Sequence, residues 1–318
     1  MTPMGHWIKQ GLLYALPPGG LHPKLLTHAA NPLPAHIADD VYRIFFSARD
    51  SSNRSSVGAV DVDIGTRQIV REHSQPFFEH GPTGSFYADG VSIGNCYEVG
   101  GTRYMLFMGW QAPTDGHWRG DIGRLVVRSD LTLALNSPTP FLGADPIDPI
   151  SLSYPWVINA STDRFRMWYP STKTWDAGNG EMLAVLNVAD SADGHQWVRK
   201  GLGVPYELGR AQAFSRPNVL GDPIAGYEMW FSYRGGGGRS YRIGYAVSPD
   251  ATDWELRLDD VGIDVSREGW DSEMIEYPFV FDHRGRRFML YNGNGYGKSG
   301  FGIAELVASE ATTGRGAR

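Results

Sequence analysis

An all-β, five-bladed β-propeller with four antiparallel strands per blade is the fold this 318-residue sequence predicts, and three observations lead to it. The first is composition: 40 Gly and 20 Pro beside 10 Trp, 15 Tyr and 14 Phe require many turns and many half-buried strands. The second is a repeat. "YRIFFS" from Tyr42, "YMLFMG" from Tyr104, "FRMWYP" from Phe165, "YEMWFS" from Tyr227 and "FMLYNG" from Phe288 share one aromatic pattern at intervals of 61 or 62 residues. Units of that size cannot bury their own two faces, so they are expected to stack around an axis. The third is closure: the fifth unit runs out after "FGIAEL", whereas "WIKQGLLY" from Trp7 matches the outer strand "WVRKGLGV" from Trp197. The first residues are therefore expected to complete the last blade.

Within a unit the innermost strand comes first, marked by Val157, Val219 and Val280 eight residues before the aromatic run, with Asp89 to Val91 as a longer-spaced counterpart. The aromatic run is the second strand. A small-residue signature, "VGAV" at Val57, "IGRL" at Ile122, "IGYA" at Ile243 and "FGIA" at Phe301, marks the third. The turns "SADGHQW" and "SPDATDW" lead into the fourth, and their Asp and Trp read as turn chemistry and packing. One domain is expected over residues 1–308, and residues 309–318, which carry no apolar period, read as a frayed tail.

Composition also excludes classes of function. A net charge of −6 with interspersed signs leaves no basic stripe for nucleic acid or an anionic membrane. Cys96 stands alone, which removes a disulfide framework and a thiolate metal cluster. The nine His are scattered and no metal-ligand spacing occurs, so neither a metal nor a cofactor is implied. "GGGG" at Gly235 to Gly238 lacks the helix and Lys-Ser/Thr of a phosphate loop. No apolar run approaches the ~18 residues of a membrane span, and the start lacks a basic leader, so a cytoplasmic protein is expected. Oligomeric state is not legible.

Blade geometry sorts the polar residues by face. The starts of innermost strands and the loops between second and third strands share one face, which places Asn31, Asp89, Tyr154, Arg216, Glu276 and Tyr277 near the axis. Arg49, Asp50, Arg54, Trp110, Trp175, Arg234, Asn292 and Asn294 surround them. Acids at one axial mouth point to proton transfer. Four arginines, Arg49, Arg54, Arg216 and Arg234, point to a carboxylate or phosphate on the ligand. Asp50 is expected to hold Arg49 or Arg54 in place. Trp110, Trp175, Tyr154 and Tyr277 are candidate stacking platforms for a sugar ring, and His28 a candidate acid, base or anion ligand.

These features resemble the propeller glycosidases: the arabinanase and xylosidase, invertase and levanase, and mannoside phosphorylase families. "HAANP", "RIFFSARDSSNRSSVG", "GWDSEMIEYPFV" and "YNGNGYGKSGFG" look like a branch of that group associated with bacterial surface-glycan clusters. The resemblance implies three axial acids that together cleave a glycosidic bond. Here His28 and Asn31 stand where the first acid is expected and Arg216 where a general-acid glutamate is expected. The resemblance therefore points to Glu273 as general acid or sugar-hydroxyl ligand, with Asp271 or Asp89 as its partner. It implies a small sugar or glycan substrate, anionic on the arginine argument. Three readings stay open: hydrolysis or transfer, phosphorolysis, and a non-catalytic carbohydrate-binding propeller that has lost its acids.

Overall fold

The computed structural model describes residues 5–161 and 164–307; the predicted tail at 309–318 lies outside them. The regular structure of the described chain is nearly all strand, and no helix within it is long and apolar enough to cross a membrane. The strands are β1 (His6–Tyr14), β2 (Thr27–Ala38), β3 (Val41–Arg49), β4 (Ser55–Asp63), β5 (Gln68–Glu72), β6 (Gly90–Val99) and β7 (Thr102–Gln111). They continue as β8 (Arg119–Val127), β9 (Leu133–Leu135), β10 (Ser151–Leu152), β11 (Trp156–Ser161), β12 (Arg164–Thr174), β13 (Leu183–Ser191) and β14 (Val198–Leu202). The last are β15 (Ala213–Asp222), β16 (Gly226–Arg234), β17 (Arg242–Ser248), β18 (Glu255–Leu256), β19 (Glu276–His283), β20 (Arg286–Asn292) and β21 (Phe301–Val307).

Pairing is between chain neighbours and antiparallel, as short turns between amphipathic strands dictate. β2 through β5, β6 through β9, and β15 through β18 each form a meander; β12 pairs β10, β11 and β13, and β14 pairs β13. β19, β20 and β21 form another, extended by β1, with Trp7 opposite Leu306. Two single parallel bridges, Ser55 to Gly90 and Ala184 to Ala213, join neighbouring meanders into an eight-stranded and a nine-stranded sheet. No hydrogen-bonded ladder among the described residues joins these to each other or to the four-stranded sheet. Packing joins them instead. Phe288, Leu290, Phe301 and Ile303 of the last meander share a core with Tyr42, Ile44, Phe46 and Val60 of the first.

The innermost strands carry a common irregularity. Register shifts fall at Ala30/Leu33, Ile93/Cys96, Ser215/Asn218 and Glu276/Phe279, and β10 breaks from β11 between Leu152 and Trp156. At four of these sites a non-glycine residue in the left-handed region precedes a proline: Asn31 (φ 56°), Tyr154 (φ 35°), Arg216 (φ 42°) and Tyr277 (φ 52°). Proline has no N–H for the ladder, so the strand bulges there and re-aims the residue before it. The second meander uses Gly94 and Asn95 instead. A Cβ at Gly94 would lie 2.6 Å from the carbonyl of Pro155, so only glycine permits that approach of neighbouring inner strands. The innermost position of this meander is thus Gly94 and not Asp89, which the sequence comparison placed there on its looser spacing.

The turns between outer strands behave as turns. Asp193 Oδ1 accepts from the amides of His195 and Gln196, and Asp250 Oδ1 from those of Thr252 and Asp253. Those carboxylates are occupied by their own loops.

Candidate functional site

The bulged inner strands converge on a cavity of about 430 Å³, within the ~300–1,000 Å³ range of small-molecule sites. Ala30, Ser153 and Ser215, the residues just before Asn31, Tyr154 and Arg216, all line it. Ser47, Ser55, Ser92 and Thr172 add hydroxyls, Arg49 and Arg234 add charge, and Trp110, Trp118, Tyr154, Tyr241, Tyr277 and Tyr296 add aromatic faces. Hydroxyls, flat rings and a few charges suit a polar ring-shaped ligand.

Glu276 holds the equivalent pre-bulge place on β19, just before Tyr277. It is 0 % exposed, and neither carboxylate oxygen has a hydrogen-bond partner. Burial pushes its carboxyl well above the usual range, against the opposing pull of Arg234 and Arg49. In turn its charge helps raise the phenols of Tyr277, Tyr241 and Tyr154, so these groups surround one another. Tyr154 Oη donates to Tyr277 Oη at 3.3 Å. Two buried polar groups of the cavity wall itself, Asn31 Nδ2 and Ser215 Oγ, also lack partners.

The arginines differ in how they are held. Arg49, at the end of β3, is half-buried and donates from Nη1 to Asn53 Oδ1 at 2.8 Å. Arg234, at the end of β16, pairs with Glu181 through Nε (2.9 Å) and Nη2 (3.0 Å), donates to Tyr296 Oη at 3.2 Å, and lies over the Tyr241 ring. Arg216 is turned to the backbone. Fully buried, it donates to the carbonyls of Tyr277 (2.8 Å), Asn31 (3.1 Å) and Pro32 (2.7 Å). Burial pulls it down to about 9, still charged at neutral pH. Backbone carbonyls of two neighbouring inner strands take its Nη donors, while Nε has no partner, so the guanidinium that the sequence placed against an anion is here committed largely to the fold.

The three acids expected to be catalytic lie elsewhere. Asp271, 2 % exposed, forms an ion pair with Lys9 at 2.7 Å and accepts from Tyr291 Oη at 3.1 Å. Glu273 is exposed, and its backbone amide donates to Asn294 Oδ1. Asp89 accepts the amide of Ala112 at 2.8 Å and faces an adjoining pocket with Arg54. Asp50 accepts from the amides of Ser52 and Arg54 and from Arg54 Nε, so it does hold Arg54, and these bonds outweigh burial and keep it below the usual range. Asn292 clamps the ends of strands through Asn31 N, Ala29 O and Gly300 O; Asn294 ties the turn that carries Glu273. His28 lies outside the cavity wall, where burial, Arg49 and Lys298 lower it to about 4. Trp175 stacks on His117 and meets the edge of Trp118, which lines the cavity in its place.

Glu181, Tyr241, Tyr296 and Trp118 were not singled out from sequence. Glu181 precedes β13 within a glycine-rich loop that reads as an ordinary turn; only its pairing with Arg234 marks it. The serine ring was legible in principle, as Ser153 and Ser215 stand at one spacing before X-Pro.

No family model matches the chain. Its fold is similar to solved glycoside hydrolase-like structures. A glycosyl hydrolase from Bacteroides ovatus superposes with a TM-score of 0.73 at 12% identity, covering 95% of this chain and 94% of that one. A member of the GH130 family of mannoside phosphorylases, which contains glycoside hydrolases that target beta-1,2 mannosidic linkages in Candida mannan, gives 0.68 at 12% identity with 96% of each chain covered. At such identity the likeness shows the fold alone. In sequence the chain is 42% identical over 302 residues to the uncharacterized protein Rv1502 of Mycobacterium tuberculosis, spanning 94% of this chain and 99% of that protein. The chain therefore belongs to the family of Rv1502, on a glycoside hydrolase-like fold.

Proposed function

We propose that the cavity binds a glycosyl unit bearing an acidic group, and that the protein cleaves or transfers its glycosidic bond with Glu276 as proton donor. The observation that carries this is Glu276 itself, a fully buried carboxyl with unpartnered oxygens, next in the chain to Tyr277 of the cavity wall. Cleavage of a glycosidic bond needs a proton for the leaving oxygen and a nucleophile for the anomeric carbon. A carboxyl whose burial favours the protonated form supplies the first. Arg49 and Arg234 suit a carboxylate or phosphate, and the aromatic rings suit the sugar face.

No Asp or Glu lines the cavity among the described residues, so the nucleophile comes with the ligand or from solvent. Inorganic phosphate brings its own anionic oxygen. Held by the arginines, that oxygen bonds to the anomeric carbon as the bond to the leaving oxygen breaks and Glu276 delivers its proton there. Phosphorolysis thus fits this residue set with the fewest protein groups.

The five-bladed reading of the fold supports the same site. We take the meanders as five four-stranded blades of one domain, closed by β1, with bulged inner strands at the axis. A cytoplasmic setting and a surface-glycan substrate remain part of the proposal on the sequence features given above.

A second reading, a carbohydrate-binding propeller without catalysis, is favoured by the ion pair that ties Glu181 to Arg234. The test incubates wild type and Glu276→Gln with activated acidic glycosides, with and without phosphate. Turnover by wild type and a loss of ~10²-fold or more in the variant is expected. Equal turnover by both overturns the role of Glu276, and binding with no turnover establishes the second reading.

A further inference from the structure

A second pocket of about 520 Å³ adjoins the cavity, and the wall between them is made of consecutive residues. Asn53 lines the cavity and Arg54 the adjoining pocket; Trp110 lines the cavity and Gln111 the pocket; Ala112 lines both. Ala112 is exposed, and its position is set by the bond from its amide to Asp89 Oδ2 at 2.8 Å. The same carboxylate lines the pocket, together with His80, Thr83 and Arg119.

The arginines of this pocket are already paired. Arg54 is paired with Asp50 at 2.9 Å and Arg119 with Asp121 at 3.3 Å. Asp89 has no cationic partner among the described residues. A second anionic group on the ligand would meet this carboxylate with no free countercharge. A neutral unit rich in hydroxyls would instead donate to Asp89 and accept from the remaining N–H groups of Arg54 and Gln111. Pro82 and Pro113 add flat apolar surface for the ring.

We infer that the adjoining pocket is a subsite for a neutral sugar unit attached to the acidic unit in the cavity, the chain of the ligand passing over Ala112. This rests on the reading of the cavity as an acidic-sugar site, and it assigns Asp89 to recognition of the attached unit. The ligand is therefore at least a disaccharide, acidic at one end and neutral at the other.

The test is calorimetric titration of the full chain with matched pairs: uronic acids and hexose phosphates, each free and with a neutral hexose at its anomeric carbon. Wild type, Thr83→Trp, at an exposed residue that lines only the adjoining pocket, and Asp89→Asn are compared, and circular dichroism confirms that each is folded. The disaccharide of the preferred pair is expected to bind at least ~10-fold tighter than its acidic unit alone. Thr83→Trp is expected to abolish that gain while leaving binding of the free acidic unit unchanged, and Asp89→Asn to reduce it. Equal binding of the two lengths by wild type, or a gain that persists in Thr83→Trp, overturns the subsite while the cavity reading stands. Failure of every probe, short or long, to bind overturns the cavity reading and the subsite with it.

Discussion

The guanidinium of Arg216 donates from Nη1 to the backbone carbonyl of Tyr277 at 2.8 Å, joining two inner strands across 61 residues of sequence. Its other donors reach Asn31 and Pro32 on β2. One buried cation thus holds the bulges of β2, β15 and β19 in a common frame, and those bulges place Ala30, Ser215 and Tyr277 at the cavity, with Glu276 next in the chain to Tyr277. Arg216→Met leaves three buried carbonyls without donors. At a cost of at least ~1 kcal/mol for each orphaned group, urea unfolding should show a loss of roughly 3 kcal/mol or more.

Glu276 should be a stability liability that grows with pH. Its folded carboxyl titrates well above the ordinary value of 4.5, so above that pH the native state holds a proton the unfolded state releases. Stability then falls as pH rises, by at most about 1.4 kcal/mol per pH unit for one proton. Glu276→Gln removes this dependence. Thermal unfolding should show the variant more stable than wild type at pH 8, with a smaller advantage at pH 5.

Arg49 and Arg234 should set affinity for the acidic group of the ligand. Charge-assisted hydrogen bonds contribute ~1.5–3 kcal/mol, so Arg49→Gln and Arg234→Gln should each weaken binding of the preferred acidic sugar roughly 10- to 100-fold. Binding of the corresponding neutral sugar should change little. Titrations of both sugars against each variant check this.

Asp271 and Glu273 should separate stability from chemistry. Breaking the Lys9–Asp271 pair with Asp271→Asn leaves a largely buried cation, a loss of up to ~3–5 kcal/mol. Turnover per folded molecule should be unchanged. Glu273→Gln, at an exposed side chain, should alter neither unfolding nor turnover.

The contrast between these acids marks how far the sequence is readable. The recurrence of aromatic runs every 61 or 62 residues reflects strands buried on both faces, and it identifies the second strands from Tyr42 to Phe288 because packing between neighbouring meanders requires large apolar side chains on each face. The X-Pro pairs at Asn31, Tyr154, Arg216 and Tyr277 mark inner strands because a proline forces the bulge. Where the bulge is made by Gly94 and Asn95, that mark vanishes, and the nearby Asp89 draws the register five residues early. Side-chain partners are less legible still. Asp271, Glu273 and Glu276 lie within six residues, yet one meets Lys9 from the far end of the chain, one meets solvent, and one is sealed among tyrosines. Those fates depend on strands distant in sequence.

The most direct test of the central claim is titration of the Glu276 side-chain carboxyl itself. In protein labelled with side-chain ¹³C glutamate, and assigned with Glu276→Gln, the carboxyl chemical shift is followed from pH 4 to pH 9. A titration displaced well above the ordinary carboxylate range is the predicted result; ionisation within that ordinary range would contradict it and remove the proton donor from the site.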